Sequence, residues 1–419
     1  PHLDRLASEG VLFTNAVSCY PVSSPARGIL MSGMYPMNNK VIGNCNSDTA
    51  PYGVELPETA RCWSDVLKDK NYRTGYVGKW HLDSPYKPYV DTYNNRGETA
   101  WNEWCPPERR HGFDFWVAYG TYDNHLNPMY WETAAPRDSF FYAHKWGPEY
   151  EVDRAIEFLS EQKKSSSPFA LVVSMNPPHT GYHLNVESLC ENRPDIPAKG
   201  TEMGDYFRNN IRDYYACMTG VDENVGRLIE ELKRLKLFDN TIVVFTSDHG
   251  ICMGVHHSAG KDIYYEESMK VPMIISWPQQ IKPRVDNHTM IAFGDMYPTL
   301  LSMMGFSKDI PQEVQTFDFA NSILSGKADK KTVQPYYRVQ PDNPTTGYRG
   351  LRTSKYTFAV HATNGKIDRT VLFDRDKDPY EMKNIATERP KLVRALHKQL
   401  REWLMQTNDP FAAYLPKKQ

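Results

Sequence analysis

Ser23-Ser24-Pro25-Ala26-Arg27-Gly28-Ile29-Leu30-Met31-Ser32-Gly33 is a segment that could hold a nucleophile. Pro25 suits the first turn of a helix, which sets Ser23 at its amino end. Backbone N–H groups and the helix dipole there favour an anion or an anionic nucleophile, and Arg27 can point back to the same spot. Gly78-Lys79-Trp80-His81-Leu82 follows an apolar run; alternation puts Lys79 and His81 on one side, a fixed cation beside a titratable base. That pairing suits an anionic transition state. In Asn176-Pro177-Pro178-His179 the prolines stiffen the loop, which marks His179 as a proton donor. Ser247-Asp248-His249-Gly250 offers a hard carboxylate beside an imidazole, a reasonable pair of metal ligands, and His256, His257 and Lys261 follow.

Singly, each residue has a plainer reading. A serine before a helix is usually a cap, His81 and His179 could be core and turn histidines, and Asp-His-Gly could be a turn. Lys79 and Lys261 could be solvated lysines. Unrelated turns rarely line up in chain order to make one anion-handling set.

The elements that must position these residues show in the hydrophobic periodicity. The spacing predicts helices over 2–9, 56–70, 151–164 and 214–237, with short apolar strands over 11–13, 72–77, 169–173, 241–245 and 271–277. Helices alternating with continuous apolar strands predict an α/β fold, a large mostly parallel sheet sandwiched by helices, with chemistry at the carboxyl ends of the strands. Residues 85–148 lose this pattern and read as a long Tyr-, Trp-, Asn- and Pro-rich insertion beside the cleft. Beyond about residue 326, strands over 332–340, 351–359 and 370–373 and a helix over 391–405 predict a small antiparallel-sheet-plus-helix subdomain. The expected division is therefore 1–326 and 327–419.

Composition sets the limits. The chain has 419 residues, 40% hydrophobic and 24% charged, with a formal net charge of −2. That balance gives no global field for nucleic acid, so an anionic substrate must be caught by local cations. No apolar run approaches a membrane span. The seven cysteines are scattered without metal-ligand spacing, and their odd number leaves at least one thiol free. Pro1-His2-Leu3-Asp4 already reads as helix, so any leader is expected upstream of it.

Position by position, these motifs resemble the formylglycine-dependent sulfatases of the alkaline-phosphatase superfamily. Ser23, Pro25, Ala26, Arg27 and Met31-Ser32-Gly33 match the family signature. The blocks at Gly78-Lys79-Trp80-His81-Leu82, Pro178-His179, Ser247-Asp248-His249-Gly250 and Lys261 follow in family order, and the tail matches through Leu351-Arg352-Thr353, Leu372-Phe373-Asp374 and Asn384. The resemblance implies that Ser23 is oxidised to formylglycine and that Arg27 steadies it. It implies that Lys79 and Lys261 hold the sulfate oxygens, that His81 is the base near the nucleophile, and that His179 faces the bridging oxygen. Asp248 and His249 then resemble two ligands of a calcium ion, with magnesium as the alternative. The implied reaction passes through a sulfo-enzyme intermediate and eliminates sulfate.

Two departures shape the expectation. A signature opening on Ser points to a radical-type maturation enzyme and a bacterial host, with the protein periplasmic or secreted. Relatives also carry an Asp-Asp pair on a first strand upstream of the Pro1-His2-Leu3-Asp4 block, and that pair is expected outside the 419 residues. The implied substrate is a sulfated glycan or other small sulfate ester, with Asp83, Asn124, His256 and His257 as candidate sugar contacts. The rival expectations are a phosphodiesterase or phosphonate monoester hydrolase of the same superfamily, and a catalytically inactive glycan-binding relative.

Overall fold

The computed structural model describes residues 1–180, 194–327 and 331–416. In chain order the regular elements begin with α1 (His2–Ser8), β1 (Val11–Phe13), α2 (Ser23–Ser32), α3 (Pro36–Asn39), α4 (Trp63–Asp69) and β2 (Arg73–Lys79). Next come β3 (Phe115–Tyr119), β4 (Met129–Glu132), β5 (Phe141–Tyr142), α5 (Gly147–Gln162), β6 (Phe169–Ser174) and α6 (Glu202–Arg234). They are followed by β7 (Val243–Thr246), α7 (Glu266–Met269), β8 (Met273–Ser276), β9 (Arg284–Asp286), α8 (Met296–Met303) and α9 (Ala320–Ser325). The tail holds β10 (Val333–Gln340), β11 (Asn343–Thr353), β12 (Tyr356–Thr363), β13 (Lys366–Asp374) and α10 (Pro390–Gln406).

The strands form three sheets, ordered β5-β4-β3-β2-β6, β7-β8-β1-β9 and β10-β11-β12-β13. The expected α/β architecture is present, and both central sheets are mixed rather than purely parallel. β2 runs parallel to β3 and β6, and β1 to β9. The pairs β3–β4, β4–β5, β7–β8 and β8–β1 are antiparallel. The source of the antiparallel edge is the segment read as an insertion. Phe115-Trp116-Val117-Ala118-Tyr119 is an apolar run buried beside β2, and the chain then doubles back as β4 and β5.

Alternation along β8 shows how helices cover both faces. Met273 and Ile275 join a cluster with Met296 and Met303 of α8 and Ile323 of α9, while Ile274 joins Phe158 of α5 and Ile229 of α6. Residues two apart share a face, so one short strand feeds two cores. β6 and β7 are the outer strands of their sheets on one side. All residues of both are only half-buried, yet Phe169, Leu171, Val243 and Phe245 border the same apolar cluster.

The third sheet is four-stranded and antiparallel, as expected in kind. The strand predicted over 351–359 proves to be the end of β11 and the start of β12, joined by a turn at 354–355. Leu396, Leu400, Trp403 and Leu404 of α10 pack on Tyr337, Phe358, Val360 and Leu372 of this sheet. Cys19, Tyr20 and Tyr35 belong to the same cluster, so the tail shares its core with the segment around α2. A buried ion pair between Arg349 and Asp409 ties β11 to the turn after α10. No helix among the described residues is long and apolar enough to cross a membrane.

Candidate active site

Strand ends and one helix start converge on Ser23. It is the first residue of α2 and only 2% exposed. Ser24 anchors the turn: its N–H donates to Asn44 Oδ1, and its hydroxyl accepts from the Cys45 N–H. Cys45 in turn accepts at its carbonyl from His81 Nε2, at 3.0 Å, which brings His81 into the same pocket. His81 Nδ1 has no hydrogen-bond partner. Burial and then the charge of Lys79 keep the ring's pKa well below its ordinary value, so it presents a neutral lone pair.

β2 and β6 run side by side, with Gly78 opposite Ser174. A side chain at Gly78, whose φ is +99°, would strike the Ser174 carbonyl, so glycine lets the two strand ends close up. Lys79 then donates from Nζ to Asn176 Oδ1 at 3.1 Å. Arg27 crosses underneath. Its Nη1 donates to the Lys79 carbonyl and to Ser174 Oγ, both at 2.7 Å, while Nε and Nη2 sit 3.1 Å from Asp248 Oδ2. This guanidinium joins α2, β2, β6 and the loop after β7.

His249 Nδ1 donates to the Gly250 carbonyl at 2.7 Å, which fixes the tautomer. Its Nε2 therefore accepts, lying 3.2 Å from Ser23 Oγ and 3.1 Å from Lys261 Nζ. Burial drops the His249 pKa to about 3 despite Asp248. For Asp248 burial works against the carboxylate, but His249, Arg27, Lys79 and Lys261 outweigh it and hold the pKa well below the usual range. Burial, with Arg27 and Lys261 as like charges, pulls Lys79 down to about 7, and burial also lowers Lys261.

His179 closes the far side. Its Nδ1 lies 2.9 Å from Asp123 Oδ1, and Asp123 is held by Asn94 Nδ2 and Asn176 Nδ2. Burial and the charge of Lys79 lower His179 to about 4, with Asp123 opposing. Asp123, Asn176, Ser174 and Tyr76 complete the hydrogen-bonded set around these side chains. Asp123 sits in the aromatic insertion, where no spacing relates it to His179.

The candidate sugar contacts fall in different places. Asp83 is interior, its two oxygens taken by Trp80 Nε1 and Arg109. His256 stacks flat on Tyr265 at 3.7 Å and lies 3.2 Å from Glu267, with Asp195 nearby. Both thus hold neighbouring side chains in place in this fold. His257 is exposed on a short turn, and Asn124 is half-buried next to Asp123. The six described cysteines are buried; Cys190 lies outside the described residues.

Three cations, Arg27, Lys79 and Lys261, thus gather with the imidazoles of His81, His179 and His249 near the start of α2, an arrangement that suits a tetrahedral anion. Residues 1–306 match the family model described as Sulfatase, and 254–409 match N-sulphoglucosamine sulphohydrolase, C-terminal. The chain belongs to the sulfatase family. An endo-4-O-sulfatase of Bacteroides thetaiotaomicron is 33% identical, over 98% of this chain and 86% of that protein. An ulvan-active sulfatase of Formosa agariphila is 32% identical, over 98% and 77%. The crystal structure of a Bacteroides fragilis protein named as the sulfatase YidJ superposes with a TM-score of 0.97 at 70% identity, covering 99% of this chain and 92% of that one. The chain is thus a sulfatase, with the mixed α/β architecture of solved sulfatases.

The family implies a metal, and the donors present can be weighed against one. Calcium takes six to eight oxygens. Here Asp248 supplies one carboxylate, with Oδ2 already bonded to Arg27, and His249 supplies a nitrogen shared with Lys261. The other carboxylate described in the pocket, Asp123, is taken by His179, Asn94 and Asn176, so Asp248 and His249 alone do not complete a calcium site.

Proposed function

We propose that this sulfatase removes sulfate from a sulfated sugar in the bacterial periplasm or outside the cell, using Ser23 after its oxidation to formylglycine by a radical-type maturation enzyme. The carrying observation is Ser23 at the start of α2 with His249, Lys261 and the Arg27–Asp248 pair around it. The carbohydrate substrate is supported by relatives named for endo-4-O-sulfatase and ulvan activity.

Formylglycine, as its hydrate, supplies one hydroxyl to attack sulfur and a second whose collapse to the aldehyde expels sulfate. The chain's own residues do the rest. Lys79 and Lys261 receive the sulfate oxygens, and their charge is worth more in this buried pocket than in water. The charge of the bound sulfate raises the proton affinity of nearby imidazoles, so His179 can bring a proton to the leaving alcohol while Asp123 fixes its ring. The unpartnered Nδ1 of His81 takes the proton of the second hydroxyl. No step is routed through a metal, because Asp248 and His249 alone do not make a full site.

Hydrolysis of sulfated oligosaccharides and of an aryl sulfate, compared with an aryl phosphate, tests the reading on matured protein. Faster turnover of the phosphate would overturn it.

A further inference from the structure

On the C-terminal sheet, side chains from all four strands line up in register. Arg338 of β10 pairs with Tyr348 of β11, Tyr348 with His361 of β12, and His361 with Arg369 of β13. Directly opposed residues share a face, so the four side chains form one row. The Arg338 guanidinium lies 5.9 Å from the Tyr348 ring, and the Tyr348 and His361 rings are 4.4 Å apart. Three inter-strand spacings make the row roughly 14 Å long, more than one sugar ring.

One end of the row reaches the loop that carries Lys261. Arg338 Nε donates to Asp262 Oδ2 at 3.0 Å, and Asp262 directly follows Lys261. The Asp262 N–H donates to the Pro21 carbonyl, two residues before Ser23, while Val339 is bonded to Tyr20. Tyr264, from the same loop, lies 5.4 Å from Tyr348. The row and the loop carrying Lys261 therefore face each other.

The chemistry along the row is cation, ring, ring, cation. Arg338 keeps 48% of its side chain exposed and gives Asp262 only its Nε, which leaves its outer nitrogens to solvent. Arg369 is exposed, and no carboxylate among the described residues pairs with it. His361 Nδ1 is bonded to Asp368, which fixes its ring tilted by 47° against Tyr348. A neutral sugar chain would need the rings but not the terminal arginines.

We infer that this row is a binding track for an extended acidic polysaccharide, with Arg338 and Arg369 reading carboxylate or sulfate groups on sugars beyond the one being desulfated and Tyr348 and His361 supporting the ring between them. The inference rests on the proposed sugar-sulfatase function and names its substrate as a polyanionic chain, not an isolated sugar sulfate. Guanidinium forks suit both carboxylate and sulfate oxygens, and such contacts weaken with salt.

The test separates binding from chemistry. Ser23→Ala protein is titrated calorimetrically with hexasaccharides of chondroitin sulfate, heparin and ulvan, and with the sulfated monosaccharide of each. At least one hexasaccharide is expected to bind about tenfold tighter than its monosaccharide, with the advantage fading at high salt. Adding Arg338→Gln or Arg369→Gln is expected to remove most of that advantage. Matured protein carrying only Arg369→Gln is expected to hydrolyse 4-methylumbelliferyl sulfate as before, since Arg369 lies at the far end of the row. Equal binding of long and short sugars, or an unchanged advantage in both arginine variants, would overturn the track. Failure of matured protein to hydrolyse the aryl sulfate would instead strike the functional reading and leave the binding result standing.

Discussion

Asp123 Oδ1 sits 2.9 Å from His179 Nδ1, joining the loop after β3 to the loop after β6. Asn94 and Asn176 hold the carboxylate in place, and a carboxylate on Nδ1 leaves Nε2 as the working edge of His179. Asp123→Asn keeps the shape and loses the fixed tautomer. We expect kcat to fall roughly 100-fold for a sugar sulfate with a poor leaving group, with KM little changed. An aryl sulfate, whose phenol leaves without help, is expected to lose much less. Equal losses on both substrates would count against His179 as the acid.

Arg27 bonds four elements at once, so it is the structural keystone of the pocket as well as its cation. Arg27→Leu leaves Asp248 without its guanidinium partner. Thermal or urea unfolding should show a loss on the order of 3 kcal/mol, along with loss of turnover. A variant as stable as the parent would show that Asp248 finds another partner.

Lys79 gives the site a pH dependence. Burial together with Arg27 and Lys261 lowers its pKa to about 7, so the ammonium is present below that pH and lost above it. Inorganic sulfate, measured as a competitive inhibitor, should weaken by roughly tenfold per unit as pH rises beyond about 7. Constant inhibition from pH 6 to 9, on the order of the window set by that shift, would mean Lys79 stays charged throughout.

Arg349 and Asp409 form an ion pair with both side chains fully buried. Asp409→Ala strands a buried guanidinium, and Asp409 also accepts from the Phe411 N–H. Urea denaturation should report a loss of about 3–5 kcal/mol. The double variant Arg349→Met with Asp409→Leu should recover much of it.

Much of the catalytic set was legible because its residues sit where periodic segments end. The Ser23, Lys79, His179 and Asp248 blocks each follow a strand or open a helix, and the observed β2, β6, β7 and α2 lie within a few residues of the predicted runs. What stayed hidden depends on contacts between distant loops. Asp123 has no spacing that ties it to His179, and Asp83 looks free for substrate until Trp80 and Arg109 are seen on its oxygens. β3 was lost in its aromatic surroundings, because five apolar residues among turn formers carry little periodic signal. α6 begins at Glu202, well before the predicted start at 214, since Thr201 caps a polar stretch in which Phe207 and Ile211 are the main apolar markers.

The central claim is that Ser23 is the precursor of the nucleophile. Mass spectrometry of the peptide spanning Ser23, from protein made with and without a co-expressed radical maturase, tests it alongside sulfatase assays of the same samples. A peptide lighter by two hydrogens should appear only with the maturase and rise in step with activity. Full activity from protein whose Ser23 peptide is unmodified would contradict the account.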